Sequence, residues 1–211
     1  GLTNQTLGVQ LSPSSVFLRY VEPIGGNAAA NGTLTFELTY TLNQISATQA
    51  AVTINWSITN NSNATQPVNF FAYADSDIGA SAGNDDGSYT AGGGVNYYRN
   101  NDGTSLTANF FTMGADLRLN DRWQIGAFSG SDSASPRGAL SNTLLSNLSN
   151  ADTIGAAGDN AGALQWISEI AAGGSVGGRV TKGYNYLVPT PGAAALFGLS
   201  ALAMGRRRRQ A

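Results

Sequence analysis

Apolar and polar residues alternate along much of the chain with a period of two. Leu34, Phe36, Leu38, Tyr40 and Leu42 alternate with Thr33, Thr35, Glu37, Thr39 and Thr41. Successive side chains of a strand point to opposite faces, so this run predicts a strand with one buried and one wet face. Val52, Ile54, Trp56 and Ile58 alternate with Thr53, Asn55, Ser57 and Thr59 in the same way. β-Branched and aromatic residues dominate both runs, as a half-buried pleated surface prefers. The polar stretch 60–63 then forms a loop, and Pro67 precedes a strand over 68–74, whose adjacent Phe70 and Phe71 call for cover on both faces.

Residues 7–11 and 15–22 read as two strands around Ser12-Pro13-Ser14. Residues 95–100 and 104–112 flank Asn101-Asp102-Gly103, a strong hairpin signal because Gly accepts the positive φ that the turn needs. Residues 115–119 and 122–129 flank Asn120-Asp121 and predict a second hairpin. One stretch changes period: Leu140, Leu144 and Leu148 recur every four residues behind Ser135-Pro136. Ser at the cap and Pro at the first helical position predict a short helix over 137–149. Leu164, Trp166 and Ile170 fit a strand, although 161–172 also fits a helix. The strand reading lets 164–170 and 176–186 close a hairpin around Gly173-Gly174. The expected fold is mainly β: an antiparallel, jelly-roll-like β-sandwich of roughly ten strands with one short helix. It fills 1–187, and 188–211 forms a separate C-terminal segment with an apolar helix.

Composition narrows the chemistry. The 211 residues include no Cys and no His, so there is no disulfide, no Cys nucleophile, no Ser-His-Asp triad and no His- or Cys-ligated zinc. Lys182 is the only lysine. The net charge of −2 is distorted by Arg206, Arg207, Arg208 and Arg209; without them the body is more acidic, with no basic stripe to follow a phosphate backbone. Nucleic acid is not an expected partner.

The tail has its own grammar. Val188, Pro189, Thr190, Pro191 and Gly192 make a rigid, non-helical start. Residues 193–204 carry no charge, and the four Arg follow. The apolar run is short of the roughly 20 residues that span a bilayer, and counting from Val188 to Gly205 makes the length marginal. By the positive-inside rule the Arg cluster stays cytoplasmic and the sandwich lies outside. This order of Pro-x-Pro, apolar helix and terminal Arg cluster resembles the PEP-CTERM sorting signal of Gram-negative bacteria that make extracellular polysaccharide. Thr190 stands where that signal usually has Glu, and the resemblance covers 188–211 alone. It implies an exported protein held transiently in the inner membrane by 193–204 and Arg206 to Arg209. An exosortase-type enzyme would then process it near Pro189, Thr190 and Pro191, and the body would pass to the cell surface or extracellular matrix. On that reading the protein is a substrate with a non-enzymatic structural role.

The body offers weaker candidates. Asp75, Asp77, Asp85 and Asp86 supply hard oxygen ligands on a polar stretch, suited to Ca²⁺. An EF-hand is excluded, because Ala80 stands where that loop needs Gly and Gly79 brings no ligand. The alternative to an ion site is a solvated loop of turn-forming Asp and Asn. Tyr97, Tyr98, Phe110 and Phe111 fall in one hairpin, where adjacent aromatics face opposite ways. One of each pair is expected outside, as a platform for an exopolysaccharide, unless the helix covers it. A glycan hydrolase is the remaining alternative. It requires two carboxylates across a cleft, and Glu22, Glu37 and Glu169 are the only glutamates, with Glu37 on a wet Thr face. Gly92-Gly93-Gly94 lacks the context of a phosphate loop and reads as a turn.

Overall fold

The alternating runs pair where their apolar faces match. In the computed structural model, β3 (Thr33–Gln44) and β4 (Ala50–Asn60) run antiparallel with Leu38 opposite Trp56, Phe36 opposite Ile58 and Tyr40 opposite Ile54. This register puts the alternating apolar residues of both strands, Leu34 to Leu42 and Val52 to Ile58, on one face, while Ala51 lies on the other. The structure describes residues 2–78, 85–102, 109–128, 135–141, 147–153 and 158–185.

Two sheets result among the described residues, unequal in size. The larger has eight strands in the order β1-β2-β3-β4-β12-β8-β7-β6. It comprises β1 (Gln5–Ser12), β2 (Ser15–Pro23), β3, β4, β6 (Asp85–Gly92), β7 (Val95–Asp102), β8 (Phe110–Asp116) and β12 (Ser175–Tyr184). The smaller has four, in the order β10-β9-β11-β5: β5 (Gln66–Asp75), β9 (Arg122–Ala127), β10 (Ala151–Asp152) and β11 (Asn160–Ile170). All pairings are antiparallel except β9 with β10. The two sheets face each other as a sandwich, joined by aromatics from both. Trp56 of β4 stacks on Phe70 of β5 with centroids 4.4 Å apart, and Trp166 of β11 meets Trp56 edge-on at 5.6 Å. Leu38, Ile58, Met113, Ile125, Leu164 and Val180 fill the layer around them. Full burial of each such side chain contributes about 1.5–3 kcal/mol.

Several expectations change. Residues 115–119 and 122–129 do not form a hairpin. β8 stops at Asp116, where Arg179 makes a bidentate pair with its carboxylate. Leu117 takes a positive φ of 57°, and the chain crosses to the other sheet to begin β9. Likewise 164–170 and 176–186 do not close a hairpin: β11 is a strand, as expected, but β12 belongs to the opposite sheet. Gly173, at φ 70°, makes the turn of an arch between layers. Asn60 pins that arch, its amide donating to the carbonyls of Ala64, Ile170 and Ala171. The acidic stretch is not loop throughout, since Asp85 starts β6, and Gly93 and Gly94 turn β6 into β7. The helix over 137–149 is α2 (Pro136–Ser141) in its described part. Residues 147–149 are irregular, and the Ser135 hydroxyl is buried without a partner, so it does not cap. A four-residue helix, α1 (Ala28–Asn31), joins β2 to β3 and is capped by the Asn27 side chain. The C-terminal apolar helix expected at 193–204 lies outside the described residues. Among those described, no helix is long and apolar enough to cross a membrane.

The closeness of the two layers has a measurable consequence at Gly162 of β11. A Cβ there would lie 2.6 Å from the Tyr98 ring, and Tyr98 is only 1% exposed. Ala normally suits a strand better than Gly, yet Gly162→Ala should lower unfolding stability by about 1–3 kcal/mol through overpacking. Chemical denaturation checks this, and an unchanged midpoint would refute so tight an approach.

Candidate functional site

Two places bring unusual chemistry together. The first is an acidic corner where β5 ends. Asp75 and Asp77 meet Asp159, which immediately precedes β11, with one carboxylate oxygen from each within 4.8 Å of the others. β11 pairs with β5 in a register that sets Ala161 opposite Asp75, which draws Asp159 into the corner. Burial first, then the charges of Asp159 and Asp77, raise the Asp75 carboxyl above its usual value, and Arg137 partly offsets them. Asp159 carried no signal in the sequence, because only the β5–β11 register makes it a neighbour.

Asp85 and Asp86 stand apart from this trio. Asp85 is 1% exposed and works as a tie: its carboxylate accepts from the Ile78 N–H and the Asn100 amide, at 3.0 Å for the latter. Its carbonyl accepts from the Asn160 amide and the Gly158 N–H, linking the two sheets. Asp86 is exposed on the other face of β6. The aromatic pairs divide. Tyr98 is core, and burial pushes its hydroxyl strongly upward, with the charges of Asp85 and Asp75 adding to it. Phe110 lies beneath the Arg99 guanidinium at 4.2 Å, and Tyr97 and Phe111 are half-buried.

The glutamates have structural partners or solvent. Glu37 pairs with Arg19 on the wet face of the larger sheet, where the Thr-rich alternation placed it. Glu169 is exposed. Glu22 accepts from the Asn4 and Thr3 backbone amides. Burial pushes its carboxyl up, but those donors outweigh it and hold it below the usual value. This clamp fixes the N-terminal segment beside Leu2.

The second place is a cavity of about 540 Å³ between the layers. Its floor is the inner face of β3, β4 and β12, with Phe36, Tyr40 and Ile54 half-buried; one side is the run 69–73 of β5, and Leu2 and Leu140 stand at its rim. Lys182 enters it from β12. The Lys182 ammonium donates to the Tyr73 carbonyl at 2.6 Å, and among the described residues no carboxylate lies within 4.0 Å of it. Burial lowers its pKa below the usual lysine value. Tyr73 also lines the cavity, and its buried hydroxyl has no partner. Burial first, then the Asp75 charge, pushes that hydroxyl up to about 12. The sequence singled out Lys182 only as the sole lysine.

Comparison with known proteins adds little. No family model and no curated protein matches this chain. A solved chain named as a kojibiose phosphorylase from human microbiome is 9% identical, over 93% of this chain and 21% of its own length, with a TM-score of 0.41. This chain thus spans about a fifth of that protein, and a likeness of that level carries no argument about fold or activity.

The raised Asp75 carboxyl fixes a sign. The folded state holds this proton more tightly than the unfolded chain, so stability falls as pH climbs from the ordinary Asp value of 3.8 to the raised one, and the cost persists above it. Asp75→Asn should therefore raise the thermal midpoint in chelator at pH 7, by less than about 1 kcal/mol because the group is exposed. The gain should vanish near pH 3, where both states are protonated. Calcium in place of chelator reverses the order only where the three carboxylates share an ion.

Proposed function

We propose that the chain is an exported, non-enzymatic surface or matrix component: a β-sandwich body followed by a sorting tail that an exosortase-type enzyme processes. The observation that carries this reading is the order at the C-terminus. β12 ends at Tyr184 and the Val188-Pro189-Thr190-Pro191-Gly192 motif begins a few residues later, ahead of the apolar run and Arg206 to Arg209. β12 is paired on both sides, with β4 and with β8, and every described strand precedes the motif. Removal of the tail then takes away none of the described strands. The wet face of the larger sheet, rich in Thr, Ser and Asn around the Arg19–Glu37 pair, suits exposure outside the cell.

The test is intact mass and fractionation after expression behind a secretory leader in a Gram-negative host that has an exosortase. The body should reach the surface lacking roughly its last 20 residues, an estimate that places the cut near the Pro-x-Pro motif and ahead of a helix-length segment. Pro189→Ala with Pro191→Ala should leave the full-length chain in the inner membrane. A wild-type chain that stays uncut in that host sinks the proposal.

A further inference from the structure

Among the described residues, the cavity beside Lys182 is a groove along a strand edge that no other strand pairs. Backbone bonds establish this. In β11, the Gln165 carbonyl accepts from the Asp121 N–H, and the Ile167 N–H donates to the Asp121 carboxylate. The odd-numbered residues of β11 therefore turn their amides towards the β9 side, and the even-numbered ones turn theirs towards β5. The register matches Leu164 with Ala72 and Trp166 with Phe70. Ala72 and Phe70 thus use their backbone groups on β11, and Asn69, Phe71 and Tyr73 point theirs the other way, to the outer edge of the four-stranded sheet. Pro67 shares that outward parity, as a proline in a sheet must. Among the described residues the Tyr73 carbonyl is met by Lys182, and the Asn69 and Phe71 backbones have no partner on that side.

Beneath this edge the larger sheet continues. β5 lies over β4, through the Trp56–Phe70 stack, and β3 and β2 extend past it with no described strand of the smaller sheet above them. Their inner-face residues Leu18, Tyr20, Phe36 and Tyr40 are accordingly only half-buried. Free amides beside an apolar floor are the two elements that bind an added strand: main-chain bonds give affinity and the floor selects alternate side chains. The run 69–73 is about 17 Å long at roughly 3.3 Å per residue, which fits about five residues of extended chain. Lys182 sits at the Tyr73 end with no carboxylate of the described residues within 4.0 Å, so charge complementarity calls for an acid there.

We propose that this groove is a strand-acceptor site. Its ligand is an extended peptide segment with apolar residues at alternate positions and a carboxylate on the same face, within reach of Lys182. The competing role for Lys182 is to guard the edge, since inward-pointing charges are one way a sheet avoids adding strands. The two roles predict opposite effects of removing the charge.

The probe is a fluorescein-labelled Thr-Glu-Thr-Val-Thr-Val-Thr-Glu-Thr peptide, titrated with the full chain and followed by anisotropy. Saturable binding is expected, and at least tenfold weaker binding of the peptide with Lys in place of both Glu. Two N-methylated versions, one blocked at its Val and Glu amides and one at its Thr amides, should differ, with only one losing binding, because a single edge of the probe can pair with β5. Lys182→Met, with its fold checked by circular dichroism, should bind the acidic probe at least tenfold more weakly and lose the preference between acidic and basic peptides. No saturable binding to the wild type overturns the proposal. So does equal binding of the two N-methylated probes, which marks a merely apolar site, or tighter binding by Lys182→Met, which marks an edge guard.

Discussion

Two packed sheets bury their facing side chains only where they overlap, and among the described residues eight strands face four. That mismatch governs the molecule. Where the layers overlap, Trp56, Phe70 and Trp166 interlock and the surrounding positions are nearly inaccessible. Where the larger sheet runs on alone, the same strand pattern leaves Phe36 and Tyr40 half-covered. The apolar alternation of β3 is as regular under cover as beyond it, so the groove arises from the size of the second sheet, not from any weakness in β3.

Polar residues inside the sandwich decide how the layers are joined. Asp85 and Asn160 tie β6 to β11, Asn60 holds the arch between β11 and β12, and the Gln165 side chain takes the Leu148 N–H while giving to Asn147. A buried polar group costs stability unless it is bonded. The bonds they make depend on particular neighbours, so they penalise slips of register that an all-apolar layer would tolerate. The Asn100 and Asn160 side-chain oxygens, buried and unpaired, lie in the same tie.

The alternation of β3 and β4 made those strands legible, and the β-rich class with them. β6 was not, because DDGSYTAG has no apolar alternation to mark it and its burial comes from the opposite sheet. The turns after β8 and β11 were found but misjudged. A turn signal says that the chain reverses; it does not say whether the flanking strands will pair edge to edge or pack face to face. That choice is made by distant partners, such as Arg179 on Asp116 and Asn60 on the Ile170 carbonyl. The candidate sites showed only in part, for a related reason. Asp159 joins Asp75 and Asp77 through strand register, and the meaning of Lys182 depends on β5 being the last strand of its sheet.

One strand links the two proposals. β12 contributes Val180 and Lys182 to the groove and, a few residues later, runs into the tail motif. Because β12 lies between β4 and β8, a pull on the tail loads two ladders along their length, and many hydrogen bonds must break together before the strand slides. An edge strand in the same place would peel from one side, one bond at a time. A body tethered by its C-terminus is best held by a central strand, and the groove is built partly on that strand. The acceptor reading and the sorting reading are therefore compatible without depending on each other: the first requires the free edge of β5, the second the residues beyond β12.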